Sequence, residues 1–191
     1  MLKLLCRAIL KLWGFKVTGP NPELIDKKVY AVYPHTSNWD FPLGIILKFA
    51  MPIDVNYVGK DSLFKWPYGW IFRMWGGIPV DRSKSTNFVD TMVDQYSKYD
   101  KLAFAMAPEG TRKRVRKFRT GFYYIAHKAK VPIIFVKFDF GNKDVNFSEP
   151  FYTTGVYKDD LKLIIKHFEG TKGYNPALAC QWEDEFIAND V

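Results

Sequence analysis

A histidine and an aspartate that could share a proton, His35 and Asp40, follow directly on the apolar run at residues 29–33. An aspartate that accepts a hydrogen bond from one ring nitrogen fixes the imidazole tautomer, so that the other nitrogen can take a proton from a hydroxyl. The sequence lacks an evident serine or cysteine nucleophile to complete a triad with the pair. The activated hydroxyl would therefore belong to a substrate, and the pair predicts general-base catalysis.

The spacing of the pair requires a turn between its two members. Five steps along one continuous helix rotate by roughly 500°, which would leave the two side chains about 140° apart. Thr36, Ser37 and Asn38 lie between them, and these residue types commonly start helices because their oxygens accept free backbone N–H groups. We expect a strand, a tight turn carrying His35, and a helix that begins near Asp40. The alternative is purely structural, with the histidine capping a turn and the aspartate capping a helix.

The elements around this turn predict an α/β fold. Strand-like and helix-like segments alternate along the chain, which favours a mainly parallel or mixed central sheet flanked by helices. An amphipathic N-terminal helix precedes the sheet, and a hairpin around Gly141-Asn142 would add an antiparallel strand. The predicted strands are residues 29–33, 54–59, 76–82, 101–107, 131–139 and 144–147, and the predicted helices are residues 2–13, 41–50, 88–99, 120–130 and 159–169.

Parallel strands all end on the same side of a sheet, where open α/β sheets place their ligand sites. Three of the predicted strand ends carry polar side chains. The first is followed by His35 and Asp40, another ends at Arg82, and a third is followed by Glu109 and Arg112. We therefore expect these side chains to line one edge of the sheet.

The N-terminal segment has the pattern of a helix at a lipid interface. Residues 2–13 carry leucine and isoleucine at helical spacing, with a basic residue every fourth position opposite them. The charges interrupt the apolar run, which excludes a membrane span. We predict a membrane-associating helix and connector at residues 1–22 and an α/β domain at residues 23–191. The alternative is a helix that packs only on its own domain.

The positive net charge of the chain indicates anionic partners. The 191 residues carry a net charge of +8, which suits nucleic acid, a phospholipid surface or a phosphate-bearing substrate. Residues 110–130 hold eight lysines and arginines and no acid. With neighbouring aromatic residues, this segment could also be read as part of a basic nucleic-acid-binding α/β domain. That interpretation leaves the His35 turn unexplained, so no nucleic-acid partner is expected. The two cysteines, Cys6 and Cys180, fit no metal spacing and indicate a reducing compartment.

Four short motifs in order resemble those of the glycerolipid acyltransferase family, which includes the 1-acylglycerol-3-phosphate acyltransferases and related lysolipid acyltransferases. They are PHTSNWD at residues 34–40, GGIPVDR at 76–82, PEGTR at 108–112 and VPI at 131–133. Each motif alone is weak, but their common order and spacing make the resemblance specific. Some positions depart from the family pattern, since Pro34 stands where the family commonly has Asn and Lys113 where it has Ser.

The resemblance implies transfer of a fatty acyl group from a thioester to the hydroxyl of a lysolipid such as 1-acylglycerol-3-phosphate, in membrane lipid biosynthesis. His35 would be the general base and Asp40 its orienting partner. No metal and no cofactor are expected beyond the acyl donor, which would be acyl-CoA or acyl carrier protein. The residues implied to bind the acceptor are Arg82, Glu109, Gly110, Thr111 and Arg112.

The sequence leaves three classes of acyl acceptor open. A lysophosphatidic acid, another lysophospholipid and a lyso-aminolipid all offer the hydroxyl that the reaction needs. The expected partners are the lysolipid acceptor, the acyl thioester donor and an anionic membrane surface. Acyl carrier protein is a further partner where it carries the acyl group. The expected location is peripheral, on the cytoplasmic face of a membrane.

Overall fold

A computed structural model describes residues 1–51, 53–80 and 88–182. Arg82 lies outside these ranges, so its predicted place at the sheet edge stays a prediction.

A single mixed sheet organises the described part of the chain. It contains seven strands there, in the order β1-β7-β6-β2-β5-β3-β4. Every neighbouring pair is parallel except β6 and β7, which form the predicted antiparallel hairpin. The strands are β1 (Lys16–Thr18), β2 (Lys27–Tyr33), β3 (Asn56–Lys60), β4 (Gly77–Val80), β5 (Leu102–Met106), β6 (Ile133–Asp139) and β7 (Asp144–Phe147).

Helices cover both faces of the sheet. They are α1 (Leu2–Leu12), α2 (Asp40–Ala50), α3 (Gly69–Met74), α4 (Phe88–Lys98), α5 (Gly121–Ala129) and α6 (Tyr157–Phe168). On one face, alternate β2 residues Val29, Ala31 and Tyr33 pack with buried residues of α4, α5 and α6. On the other face, Tyr30 packs with buried residues of α1 and α2. A strand buried on both faces reads as a continuous apolar run, which is the pattern of β2 and β6.

The predicted fold class is confirmed, and each predicted helix and strand is present, with ends within about two residues of the prediction wherever the structure describes them. Among the strands and α-helices given above, two short ones were not predicted. Strand β1 has only three residues, too few to show the alternation that identifies a strand. Helix α3 has six residues and lies in an aromatic-rich stretch without clear periodicity.

The N-terminal helix packs on its own domain through one face and exposes an apolar opposite face. Cys6 and Leu10 are buried against α2, and the Arg7 side-chain Nε donates to the Ala50 carbonyl oxygen at 3.0 Å. The outward face remains strongly apolar, because Leu4, Leu5 and Leu12 are 70%, 58% and 88% exposed. Among the described residues, no helix combines the length and apolar character needed to traverse a bilayer.

Candidate active site

The turn between β2 and α2 brings the predicted pair together. Strand β2 ends at Tyr33, and α2 begins at Asp40. Across the turn, His35 Nδ1 lies 3.1 Å from Asp40 Oδ2. The carboxylate side chain is 2% exposed and the imidazole 24%. The aspartate is thus sealed inside the protein, while the histidine stays accessible at the surface.

Asp40 also holds the backbone of the turn. Its Oδ2 accepts the Ser37 backbone N–H at 2.9 Å, in addition to facing the imidazole. Its Oδ1 is buried and finds no hydrogen-bond partner among the described residues. A buried carboxylate is costly unless hydrogen bonds compensate for its lost hydration. Asp40 Oδ2 therefore holds both the His35 ring and the backbone of the turn in place.

The three polar residues of the turn do not cap α2 as predicted. The N-cap position is Trp39, which makes no side-chain capping bond. Ser37 Oγ instead accepts the Trp39 N–H at 3.2 Å, before the helix begins. Thr36 Oγ1 accepts the backbone N–H of Asn175, 139 positions away. These side chains stabilise the turn itself and its contact with the C-terminal part of the chain.

Glu109 lies behind the turn rather than at its surface. It follows β5, is 1% exposed, and its Oε2 accepts the backbone N–H of His35. Its Oε1 accepts the backbone N–H of Cys180 at 3.0 Å. Both carboxylate oxygens therefore accept hydrogen bonds from main-chain N–H groups.

Burial controls the protonation of Glu109. Loss of hydration raises the pKa of this carboxyl from 4.5 to about 7, and the nearby Asp40 carboxylate adds to the rise. The bonds from His35 and Cys180 oppose it because they stabilise the charged form. The thiol of Cys180, buried beside the same carboxylate, has its own pKa raised to about 12.

The loop after Glu109 reaches the same turn. Gly110 has a positive φ of 64°, and a Cβ there would lie 2.5 Å from Cδ of the Arg119 side chain, so glycine suits both the left-handed backbone and the close approach of Arg119. Thr111 is half-buried and Arg112 is exposed. The Nε of Arg112 donates to the Ser37 carbonyl oxygen at 3.1 Å. The arginine head is thereby held against the turn that carries His35.

The structure brings most of the predicted site residues together, namely His35, Asp40, Glu109, Gly110, Thr111 and Arg112. Strand β4, which leads toward Arg82, is parallel to β3 and so ends on the same edge of the sheet as β2 and β5. Within the described ranges, no group of three or more metal-ligating side chains is gathered in one place.

Sequence reasoning missed the contribution of the C-terminal residues. Asn175 bonds to Thr36 of the turn, and Cys180 bonds to Glu109. No local sequence pattern predicts such long-range contacts. Sequence reasoning also missed the aromatic contacts of the two residues that flank Asp40. Trp39 packs against Trp13 at the end of α1, with ring centroids 5.9 Å apart. Phe41 packs against Phe72 of α3, at 5.7 Å.

The raised pKa of Glu109 predicts a pH dependence of stability. Between about pH 4.5 and 7 the folded protein binds more protons at this carboxyl than the unfolded chain does, so its contribution to the free energy of unfolding falls as the pH rises. The slope is at most about 1.4 kcal/mol per pH unit. Glu109→Gln should lack this contribution in urea unfolding measured at half-unit steps from pH 5 to 8.

The control for this prediction is Glu149→Gln, at an exposed position. The unfolding free energy of Glu109→Gln minus that of the wild type should grow from pH 5 to 7 and then level off. A difference that is constant with pH would show that the carboxyl titrates at the same pH in the folded and unfolded states.

Comparisons with known proteins show which family the chain is similar to. Residues 15–138 match the family model described as Acyltransferase. The 1-acyl-sn-glycerol-3-phosphate acyltransferase of Haemophilus influenzae is 30% identical over 176 residues, which cover 82% of this chain and 72% of that protein. The enzyme of the same name from Escherichia coli is 32% identical over 131 residues, or 64% of this chain and 52% of that protein. The chain thus spans about half the length of the latter.

The fold also has a solved counterpart. The crystal structure of the 1-acyl-sn-glycerophosphate (LPA) acyltransferase PlsC from Thermotoga maritima superposes with a TM-score of 0.56 at 20% identity, covering 87% of this chain and 74% of that one. At this identity the likeness supports the α/β architecture alone. The family match covers most of the sheet and the whole His35 turn, so the chain belongs to the acyltransferase family.

Proposed function

We propose that the protein transfers a fatty acyl group from a thioester donor to the free hydroxyl of a lysolipid of the 1-acylglycerol-3-phosphate type. The observation that carries this proposal is the 3.1 Å contact between His35 Nδ1 and Asp40 Oδ2, made by an accessible imidazole on a buried carboxylate. The names of the curated relatives support the same reaction class.

The chemistry follows from the tautomer that Asp40 selects. A carboxylate facing Nδ1 favours the proton on that nitrogen, which leaves the Nε2 lone pair to act as the base. Nε2 of His35 takes the proton of the acceptor hydroxyl as its oxygen attacks the thioester carbonyl carbon. The tetrahedral intermediate collapses, the carbon–sulfur bond breaks, and the imidazolium returns the proton to the leaving thiolate. The products are an ester and a free thiol, with no acyl-enzyme.

Acceptor binding is assigned to the loop beside the histidine. A guanidinium binds a phosphate with two parallel hydrogen bonds, and Arg112 holds its head next to Ser37 by the Nε bond. Gly110 lets the backbone come close to a ligand, and Thr111 supplies a hydroxyl. Arg82 remains a predicted second phosphate ligand. Glu109, being buried against main chain, serves to hold the turn.

We propose acyl-CoA or acyl carrier protein as the donor, and both present the acyl thioester on the same phosphopantetheine arm. Six basic residues follow Glu109 in the sequence and are exposed. Such a cluster attracts the phosphates of a donor or of anionic lipid over about a Debye length, roughly 8–10 Å. They are Arg112, Lys113, Arg114, Arg116, Lys117 and Arg119.

A membrane surface is the proposed source of the lipid substrates. Two segments expose large apolar side chains beside basic ones, as interfacial helices and aromatic belts do. One is the outer face of α1, with Leu4, Leu5 and Leu12. The other is the stretch from residue 63 to 74, in which Trp66 is 92% exposed and Trp70 63%. We place the protein peripherally on the cytoplasmic face.

The two segments converge on the catalytic helix. The end of α1 contacts Trp39, and α3 contacts Phe41, and these two residues flank Asp40 in sequence. A protein docked through both segments would therefore hold the His35 turn close to the lipid headgroups, where a lysolipid hydroxyl lies.

Loss of the base or of its partner carboxylate should lower kcat strongly while the protein still folds. His35→Ala and Asp40→Asn should each lower kcat by about 10²–10⁴-fold, the usual contribution of a positioned general base. Acyl transfer is measured by mass spectrometry with a labelled acyl thioester and lysophosphatidic acid. His127→Ala, which removes another exposed imidazole, is the control and should keep wild-type kcat. Near wild-type turnover by His35→Ala would remove the proposed base.

Loss of the phosphate ligand should depend on the acceptor. Arg112→Ala should raise the KM for lysophosphatidic acid about tenfold, equivalent to about 1.4 kcal/mol of binding, because a charge-assisted bond to phosphate is lost. The same substitution should leave the KM for a monoacylglycerol unchanged, and Lys113→Ala is the neighbouring control. If a lyso-aminolipid is a far better acceptor and shows no dependence on Arg112, the acceptor is not a phosphate ester.

Removal of the exposed leucines should weaken membrane binding. The triple variant Leu4→Ser, Leu5→Ser and Leu12→Ser should bind vesicles of anionic phospholipid at least about tenfold more weakly, because buried apolar area drives interfacial binding. Co-sedimentation at two salt concentrations measures this. Leu163→Ser, at an exposed position of α6, is the control. Equal binding by the triple variant and the wild type would exclude α1 as a membrane anchor.

A further inference from the structure

We propose that residues 173–182, here called the C-terminal strap, position the catalytic turn from outside the region that matches the family model. The family match ends at residue 138, yet the strap makes polar contacts with the turn or with the carboxylate behind it. The proposal rests on the function proposed above, because it assigns the strap a share in the placement of His35.

The first contact is made at Thr36, the residue after the histidine. The backbone N–H of Asn175 donates to Thr36 Oγ1 at 3.2 Å, and its side-chain Nδ2 donates to the Thr36 carbonyl oxygen at 3.1 Å. Thr36 is 2% exposed, so these bonds satisfy polar atoms that solvent reaches poorly. Breaking them would leave buried acceptors unpaired, which a folded protein avoids.

The second contact reaches the histidine itself through Glu109. One carboxylate oxygen accepts the N–H of His35 and the other accepts the N–H of Cys180 in the strap. The carboxylate is thus a bridge between two main-chain segments 145 positions apart in sequence (180 − 35). Hydrogen bonds to a charged acceptor are stronger than neutral ones, so a displacement of the strap is transmitted to the backbone of His35.

The third contact is steric. The strap passes so close to the turn that a Cβ at Gly173 would lie 2.5 Å from Thr36 Oγ1 and 3.2 Å from Pro34 Cβ. At the other end of the strap, the Trp182 ring packs on Tyr33 with centroids 5.4 Å apart. The residues on both sides of His35, Pro34 and Thr36, are therefore braced by one segment.

This arrangement acts on rate more than on substrate affinity. The strap contacts Pro34, Thr36 and the Glu109 carboxylate, whereas Asp40 contacts the imidazole and the Ser37 backbone. A shift of about 1 Å in a catalytic group can lower a rate by roughly 10²-fold without loss of the binding contacts. We therefore assign Asn175, Gly173 and Cys180 as positioning residues for the base.

The test uses one added methyl group at the point of closest approach. Gly173→Ala should displace Thr36 and lower kcat by about tenfold or more, with the KM values of donor and acceptor within twofold of wild type. Gly121→Ala is the matched control, because a Cβ at Gly121 meets no atom within 4 Å, and it should keep wild-type kcat. Thermal unfolding of both variants establishes that they fold.

A second measurement does not require activity. Hydrogen exchange of the peptide covering residues 35–40 should accelerate at least about tenfold in Gly173→Ala, and not in Gly121→Ala, because local opening of the turn becomes easier. Asn175→Ala, which removes only the Nδ2 bond, should show a smaller change in the same direction. It serves as the reporter if Gly173→Ala fails to fold.

The outcomes separate the two proposals. A wild-type protein without acyl transfer would refute the proposed function, while the exchange data would still decide whether the strap braces the turn. Faster exchange together with a lower kcat supports the strap as a positioning element. Exchange and kcat in the folded Gly173→Ala variant equal to those of Gly121→Ala would overturn it, as would unchanged exchange in Asn175→Ala where Gly173→Ala does not fold.

Discussion

Two buried carboxylates hold the site together, one on each side of the same six-residue turn. Asp40 and Glu109 are 3% and 1% exposed, and burial of charge is unfavourable unless hydrogen bonds replace the lost hydration. Backbone N–H groups supply that compensation, from Ser37 to Asp40 and from His35 and Cys180 to Glu109. The turn cannot move without leaving one of these acceptors unsatisfied. The need to satisfy the carboxylates therefore becomes a restraint on the position of the histidine.

The sheet makes this arrangement possible by bringing strand ends to one edge. Strands β2 and β5 are adjacent and parallel, so the His35 turn and the Glu109 loop emerge side by side. A mainly parallel sheet needs helices on both faces, and the helix that follows β2 begins with Asp40. The same topology that buries the core thus supplies the base, its partner and the carboxylate behind them from two neighbouring crossovers.

Local sequence patterns predicted what local contacts determine. The alternation of strands and helices, the turn between His35 and Asp40 and the hairpin between β6 and β7 are each set by residues close in sequence, and all are present.

The partners of Thr36 and Glu109 could not be predicted in this way. Their bonds to Asn175 and Cys180 span 139 and 71 positions, and they depend on where the chain returns after α6. Thr36 and Ser37 had the correct residue types for a helix cap, but the Thr36 hydroxyl accepts from distant Asn175 and the Ser37 hydroxyl accepts from Trp39 within the turn. Within residues 63–74, tertiary packing alone decides which aromatic side chains are buried and which are exposed. Phe64 is buried and Trp66 is exposed, although both are large aromatic residues.

The central claim is that Asp40 sets the tautomer of His35 so that Nε2 carries the lone pair. Nitrogen-15 NMR of the imidazole rings, at a pH where they are neutral, measures the tautomer directly, and His35→Gln assigns the signal among the three histidines. The account predicts a proton on Nδ1 of His35 in the wild type and a loss of this preference in Asp40→Asn. A wild-type His35 with its proton mainly on Nε2 would contradict the account, because that nitrogen could not then accept the proton of a lipid hydroxyl.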